Sequence, residues 1–433
     1  MPSEEMKRLE QEVLDGKMSI VDFACTRIDA SIGRMKEKHP ELLWTMEIQK
    51  FMWDGYRDAK KNGKKLVFYG GPVPTEIIAA FDCVGFYMDC IPFRLSTNPA
   101  ITAKYIDKAE EYVAPTMCGL DKTELGAWLS GAYGFQPDIF VYNSVPCDSS
   151  RLAYPAMAKM MNVPTFVFDM PFRRDERSYE YMANQMEDFV KFMEEATGKK
   201  LDWEKLKVYM EQANINFELQ KKCADMRKHK PCPLPGRLLV LNGTTNAVAC
   251  YKAMQDVYEG ELEMGQMMID MGMGPAMPEE KYRVAMLQNM IWGAAGIMDW
   301  METTYGAVAV MDAFGFQGGP LYQHLDDRRD CFKVMGMKFQ ANPMIHGASG
   351  PSEYHVALVD KIFQEYDPNV SMFLGHVGCK HTWASAKMVS DMVQEKYGLP
   401  TLYLDLDAID GRYKSTDEIK AQIAEYFETV VMK

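Results

Sequence analysis

The chain has 433 residues, enough for two or three domains rather than one small core. A formal net charge of −13 argues against a nucleic-acid or anionic-membrane partner, because phosphate binding needs a positive footprint. Hydrophobic and charged contents of 47% and 25% exclude a disordered chain.

The start, MPSEEMKRLEQEVLDG, is charged and helical in character and resembles no secretion signal. The first sixty or so residues read as amphipathic helix, broken at KKNGKK (60–65). The apolar run at 66–71 then predicts a buried strand ending in glycines, and 138–145 and 165–172 predict two more with a helix between them. Residues 176 to about 230 have helical periodicity, which KPCPLPGR (230–237) ends. Further strands are expected at 282–289, 307–314, 371–378 and 401–408, again separated by helices. Apolar runs alternating with amphipathic helices are the pattern of parallel α/β sheets covered on both faces. The expected organisation is an N-terminal helical segment (1–63), a first α/β lobe (64–175), a helical linking region (176–280) and a second α/β lobe (281–433). The lobes are expected to be similar and Rossmann-like, each with a short parallel sheet flanked by helices. The methionine-rich stretch 264–277 is expected to be flexible packing rather than a metal box.

One unit occurs twice. DIFVYNSVPC leads to Cys147, a helix, Pro164-Thr and a strand ending at Asp169; SMFLGHVGC leads to Cys379, a helix, Pro400-Thr and a strand ending at Asp405. The duplication suggests a pair of similar lobes. Both cysteines fall where a strand gives way to a helix, and in open α/β sheets ligands bind at the carboxyl ends of strands. Nearby helix N–H groups favour a thiolate there. Cys118, in a loop before a helix, could reach the same crevice, and three converging thiolates would suit an iron–sulfur cluster with one iron left open, or zinc. A disulfide framework is not expected in so long a chain. Cys25, Cys83, Cys223, Cys232, Cys250 and Cys331 are expected to be buried structural thiols; for Cys90 the pattern decides nothing. His381 reads as a possible donor to substrate or to the cluster's surroundings, and His376 as a strand residue. The loop YGGPVPTE (69–76) is the other candidate: N–H groups from Gly70 and Gly71 to Thr75 could hold a thioester carbonyl or another anion. Glu76 fits a helix start, where a carboxylate favours the dipole, and is also a catalytic candidate. No Walker A, G-x-S-x-G or G-x-G-x-x-G pattern follows a strand, so any nucleotide hydrolysis must come from another polypeptide.

GGPVPTEIIAAFDCVGFYMD (70–89), TMCGLDKTELG (116–126) and VPCDSSRLAYPAMAKMMNVPTFVFDMPF (145–172) resemble the large iron–sulfur subunits of 2-hydroxyacyl-CoA dehydratases and benzoyl-CoA reductases. The C-terminal stretch from HVGCKHTW onward is similar to the same family's closing module, with its Asp-x-x-Asp-x-Arg. The resemblance implies Cys118, Cys147 and Cys379 as ligands of one [4Fe-4S] cluster in the cleft between lobes, the fourth iron open. It also implies an acyl-CoA substrate, a smaller homologous iron–sulfur subunit, and a separate ATP-dependent activator that injects one electron. In the dehydratases that electron makes a ketyl radical that expels the hydroxyl group. Such dehydratases often carry serine where this chain has Gly71 and glutamate where Asp89 aligns, so Asp89 becomes the candidate base. PEEKYR (278–283) and FQGGP (316–320) lean toward the reductase branch. The expected function is an oxygen-sensitive 2-hydroxyacyl-CoA dehydratase subunit, with a low-potential reductase or an electron-relay subunit as alternatives. The expected compartment is the cytoplasm.

Overall fold

Three helices rather than one lead the chain: α1 (Glu4–Leu14), α2 (Ile20–Lys38) and α3 (Trp44–Asp58). The Ser19 side chain caps α2 by accepting from Asp22 N–H, which starts a new helix where one periodic run was expected. The computed structural model describes residues 4–145, 147–240, 246–288, 291–315 and 318–433, with the side chains of residues 246 and 348 also outside the description.

Two four-stranded sheets follow. The first contains β1 (Leu66–Gly70), β2 (Val84–Tyr87), β3 (Ile139–Asn143) and β4 (Thr165–Phe168) in the order β2-β1-β3-β4. The second contains β5 (Tyr282–Met286), β6 (Ala307–Asp312), β7 (Val370–His376) and β8 (Thr401–Leu406) in the order β6-β5-β7-β8. Every pairing is parallel, and the two orders are the same pattern repeated. All five residues of β1 and of β3, and all seven of β7, are buried, as parallel strands covered on both faces must be. The expected fold of two similar α/β lobes is therefore present. Strand β2 was not anticipated from the sequence: it has four residues, one of them Gly85, and lies at the sheet edge.

The helices that matter for the site are α4 (Thr75–Ala80), α5 (Cys90–Leu95), α6 (Pro99–Glu110), α7 (Gly119–Leu129) and α8 (Asp148–Met161) in the first lobe. The helical stretch expected from residue 176 is two helices, α9 (Glu176–Thr197) and α10 (Trp203–Met226), and α11 is Lys252–Asp270. Next come α12 (Gly296–Tyr305), α13 (Arg328–Ala341), α14 (Ser352–Tyr366), α15 (Lys380–Tyr397) and α16 (Thr416–Tyr426). One apolar core joins the N-terminal helices, the first sheet, much of α9 to α11 and the buried face of α13; a second core lies around the other sheet.

One sequence reading changes here, and one motif gains a structural role. Met267, Met271, Met273 and Met277 are exposed on the outside of α11 and the turn after it, so they do not serve as core packing. PEEKYR is a structural knot: Arg283 pairs with Glu280 at 2.8 Å, both buried, and donates to the carbonyls of Arg227, His229 and Tyr366. Glu280 also accepts from Cys232 N–H at 2.6 Å. Residues 316 and 317 of FQGGP and residue 289 of the expected strand lie outside the described residues.

Candidate functional site

Each sheet has its crevice where neighbouring loops leave in opposite directions, between β1 and β3 and between β5 and β7. Cys147 follows β3 and is the N-cap of α8; Cys379 follows β7 and is the N-cap of α15. Cys118 occupies the same position on α7. All three helices therefore present their positive ends beside a thiol. Cys118, Cys147 and Cys379 share the wall of one small cavity with His376, His381 and the apolar Trp292, Phe314 and Met344.

The lobes meet through close backbone contacts. A Cβ on Gly378 would overlap Cys118 Cα and lie 2.8 Å from its nitrogen, so only glycine allows the Cys379 loop this near Cys118. A Cβ on Gly119 would overlap the Asp407 carboxylate, which accepts from Ile409 and Asp410 N–H at 2.9 Å. Lys380 reaches across to Asp148 at 3.1 Å and to the Thr116 carbonyl at 3.2 Å. Arg412 joins Asp410 to Asp107 of α6, which gives the Asp-x-x-Asp-x-Arg stretch an interlobe role.

The thiols are held individually. Cys118 N–H donates to Ser149 Oγ at 2.9 Å, and Thr382 Oγ1 donates to Cys379 Sγ at 3.1 Å. Burial pushes the Cys118 thiol well above its ordinary value, and Asp121, Asp407 and Cys379 add to this. Cys147 is raised by burial and by Asp121 and the other two thiols; Cys379 is raised by burial, opposed by Thr382. Three buried thiols among carboxylates can ionise together only if what they bind brings positive charge. That is the donor chemistry of a metal cluster. Among the described residues no group of three or more His, Cys, Asp or Glu side chains is set to hold a metal ion at one point.

A larger cavity of about 200 Å³ shares Cys118, Cys147, Trp292 and Phe314 in its wall. Asp89 lines it, half-buried at the start of α5, and accepts from Tyr154 OH at 3.1 Å. Gly70 lets Tyr154 cross the end of β1: a Cβ there would lie 2.5 Å from Tyr154 Cε2. Gly71, at φ +68°, turns the loop against Asn143, whose amide donates to the Pro72 carbonyl at 2.6 Å. Thr75 and Glu76 also face this cavity, and buried Glu76 accepts from Tyr322 OH at 3.1 Å. His381 lines the thiol cavity instead; burial lowers its pKa, opposed by Asp148. The two cavities thus hold every predicted site residue except Gly70, which supports the larger one from behind Tyr154.

Two carboxylates escaped the sequence reading. Asp121 and Glu124 lie three apart on α7, hence on one face, and both are buried. Ser150 Oγ donates to Asp121 at 2.9 Å, yet burial pushes the Asp121 carboxyl up to about 7. Burial raises Glu124 as well, with Asp89 and Asp121 adding to it. The acidic pair looks like any solvated helix turn until α6 and α8 are seen to cover it.

The fold and site define a class: a two-lobed, duplicated α/β protein with three helix-capping thiols in the cleft. Residues 72–430 match the family described as 2-hydroxyglutaryl-CoA dehydratase, D-component, and the chain belongs to that family. A benzoyl-CoA reductase subunit of Thauera aromatica is 20% identical over 88% of this chain and 92% of its own length. The (R)-phenyllactyl-CoA dehydratase alpha subunit of Clostridium sporogenes is 21% identical over 93% and 97%. The lactoyl-CoA dehydratase alpha subunit of Anaerotignum propionicum is 28% identical over 30% and 33%. The resemblance carried by the three cysteine contexts is borne out at the level of the family, whose members named here are dehydratases and a reductase. Among the described residues no helix is long and apolar enough to cross a membrane.

Proposed function

We propose that this chain is the [4Fe-4S] subunit of an enzyme acting on an acyl-CoA, with Cys118, Cys147 and Cys379 as cluster ligands and dehydration of a 2-hydroxyacyl-CoA as its reaction. The observation that carries the reading is the meeting of three helix-capping thiols, from three separate loops of two lobes, in one cavity. Three thiolates lining one cavity would suit the cysteine ligation of an iron–sulfur cluster. When bound, such a cluster supplies one-electron transfer and a Lewis-acidic iron.

The chain's own residues then do the rest. The thioester is held in the larger cavity beside Cys118 and Cys147, walled from water by Trp292, Phe314 and Met344. Asp89, oriented by the Tyr154 hydroxyl, takes the proton released from the acyl chain at its carboxylate. A second cavity, of about 520 Å³, shares Phe93 and Trp292 with the first, their rings stacked 4.0 Å apart. Its wall carries Arg94, whose buried Nε has no acceptor among the described residues, and Arg237, paired with Asp299 at 3.0 Å. Burial and the nearby Arg27 lower Arg94 to about 10. A guanidinium with no ion pair among the described residues is the local positive charge that a CoA phosphate would require in an acidic protein.

Two relatives named as alpha subunits support a second, homologous subunit for this chain. The absence of a Walker A sequence from the chain supports a separate ATP-dependent activator that delivers the electron. The full-length similarity to a benzoyl-CoA reductase subunit, with Gly71 where dehydratases often carry serine, favours a second reading as a low-potential reductase. Anaerobic assays with activator separate the two. Dehydration of a 2-hydroxyacyl-CoA with only catalytic amounts of reductant supports the first; stoichiometric reductant consumption with benzoyl-CoA, and no dehydration, overturns it.

A further inference from the structure

A chain of buried side-chain hydrogen bonds ends on one of the three thiols. Thr382, in the first turn of α15, donates from Oγ1 to Cys379 Sγ at 3.1 Å. The Cys379 carbonyl also lies within reach of that hydroxyl, at 3.3 Å, but it already accepts from Trp383 N–H. A hydroxyl has one proton to give, and a sulfur drawn toward thiolate is the stronger claimant on it. Gln288, just past the end of β5, donates from Nε2 to the same Oγ1, which leaves the hydroxyl proton for Cys379. Thr382 and Gln288 are each only 1% exposed, and both border the thiol cavity. The turn that carries Thr382 is itself held. Ser385 Oγ donates to the Thr382 carbonyl at 3.0 Å, and the His355 ring nitrogens stand 2.8 Å from Ser385 Oγ and 3.2 Å from the Leu287 carbonyl oxygen. Ser149, the hydroxyl beside Cys118, instead accepts from the N–H of that residue. Burying the Gln288 amide, with its Oε1 unpaired among the described residues, costs stability rather than adding to it.

We propose that Thr382 is a positioning residue, oriented by Gln288, whose hydrogen bond to Cys379 sets the reduction potential of the cluster ligated there. The inference rests on the iron–sulfur reading above and deepens it, from which thiols bind to which one is tuned. A reduced cluster has one more negative charge than an oxidised one, and the thiolate sulfurs share it. A donor aimed at one sulfur therefore stabilises the reduced form more than the oxidised form, and the potential rises. The effect is strengthened in an apolar site: Trp292, Phe314 and Met344 wall the thiol cavity, where water is a poor substitute donor. Gln288 acts through Thr382, by fixing which way the hydroxyl proton points.

The test is an EPR-monitored redox titration of the anaerobically purified protein, with iron content measured on the same samples. Thr382→Val keeps the shape of the side chain and removes the donor. It is expected to retain wild-type iron while its reduced-to-oxidised ratio at a fixed potential falls about threefold or more, which at about 59 mV per tenfold is about 30 mV in the midpoint. Thr382→Ser keeps the hydroxyl and is expected to titrate with wild type. Gln288→Met is expected to shift the midpoint the same way by less, and the double variant to match Thr382→Val alone, since the amide acts through the hydroxyl. A Thr382→Val protein with its iron and a wild-type midpoint, or a Thr382→Ser protein shifted as far as Thr382→Val, overturns the inference alone. Should Thr382→Val fail to hold iron, an unchanged midpoint in Gln288→Met overturns it equally. Wild-type protein that purifies without a cluster overturns it together with the iron–sulfur reading.

Discussion

Gly378→Ala is the most informative single substitution, because it adds one methyl group at the point where the lobes bring two thiols together. The new Cβ would overlap Cys118 Cα and stand 2.8 Å from Cys118 N and 3.1 Å from Met117 C. Apolar contacts settle near 3.5 Å, so the loops must part by roughly 0.7 Å or more. The opposing atoms are backbone, and no rotamer change relieves them. Overpacking of this kind costs about 1–3 kcal/mol. Metal ligands need placement within about 0.5 Å, so the Cys118–Cys379 separation would leave the useful range. The expected outcome is a folded protein with a lowered urea midpoint and loss of most of its bound iron, read by chemical denaturation and iron analysis on the same anaerobic preparation. Gly33→Ala is the control: it lies in α2 with nothing within 4 Å of the new atom, and is expected to gain up to about 1 kcal/mol through helix propensity. Iron content and stability in Gly378→Ala matching those of wild type would refute the reasoning.

Three further outcomes follow from the geometry. Tyr154→Phe removes the hydroxyl that orients Asp89, and turnover is expected to fall about tenfold or more, with binding of the acyl-CoA nearly unchanged by calorimetry. Arg283→Met strands Glu280 as a buried charge without its partner, an expected loss of about 3–5 kcal/mol in urea unfolding, with activity at low temperature preserved. Burial pushes Glu302 and Asp312 up to about 7. The folded state therefore holds protons that the unfolded chain releases near pH 4, so these groups make stability fall as pH rises from about 4 to 7 and then level off. Glu302→Gln, which keeps the acceptor for Gly236 N–H, is expected to flatten part of that slope in urea midpoints measured across the range.

Much of the fold is legible in the sequence because buried parallel strands leave continuous apolar runs: seven of the eight strands among the described residues announce themselves this way. Strand β2 does not, since its four residues include Gly85 and only the last two are buried. The repeated strand–cysteine–helix unit points to Cys147 and Cys379, and the identical strand order of the two sheets gives that repeat its physical basis. Cys118 has no such local signal; family resemblance supplies it, and the Gly378 contact explains why it belongs with the others. Arg94 was invisible for a different reason. A cation's missing partner is a property of what packs around it, and a neighbour such as Trp292 lies far away in sequence. The cationic groups in that wall, Arg94 and Arg237, are isolated residues rather than a charged run. Asp121 and Glu124 were missed on the same grounds, as an acidic helix turn reads as surface until its cover is known.

The central claim is that the three thiols hold one iron–sulfur cluster. The direct measurement is iron content together with low-temperature EPR of the reduced protein, purified without oxygen, for wild type and for Cys118→Ala, Cys147→Ala and Cys379→Ala. The account expects a brown wild-type protein with about four irons per chain and a [4Fe-4S] signal, lost in each variant, while Cys223→Ala, a buried thiol outside both cavities, keeps it. A colourless, iron-free wild-type preparation, or iron retained when any one of the three thiols is removed, would contradict it.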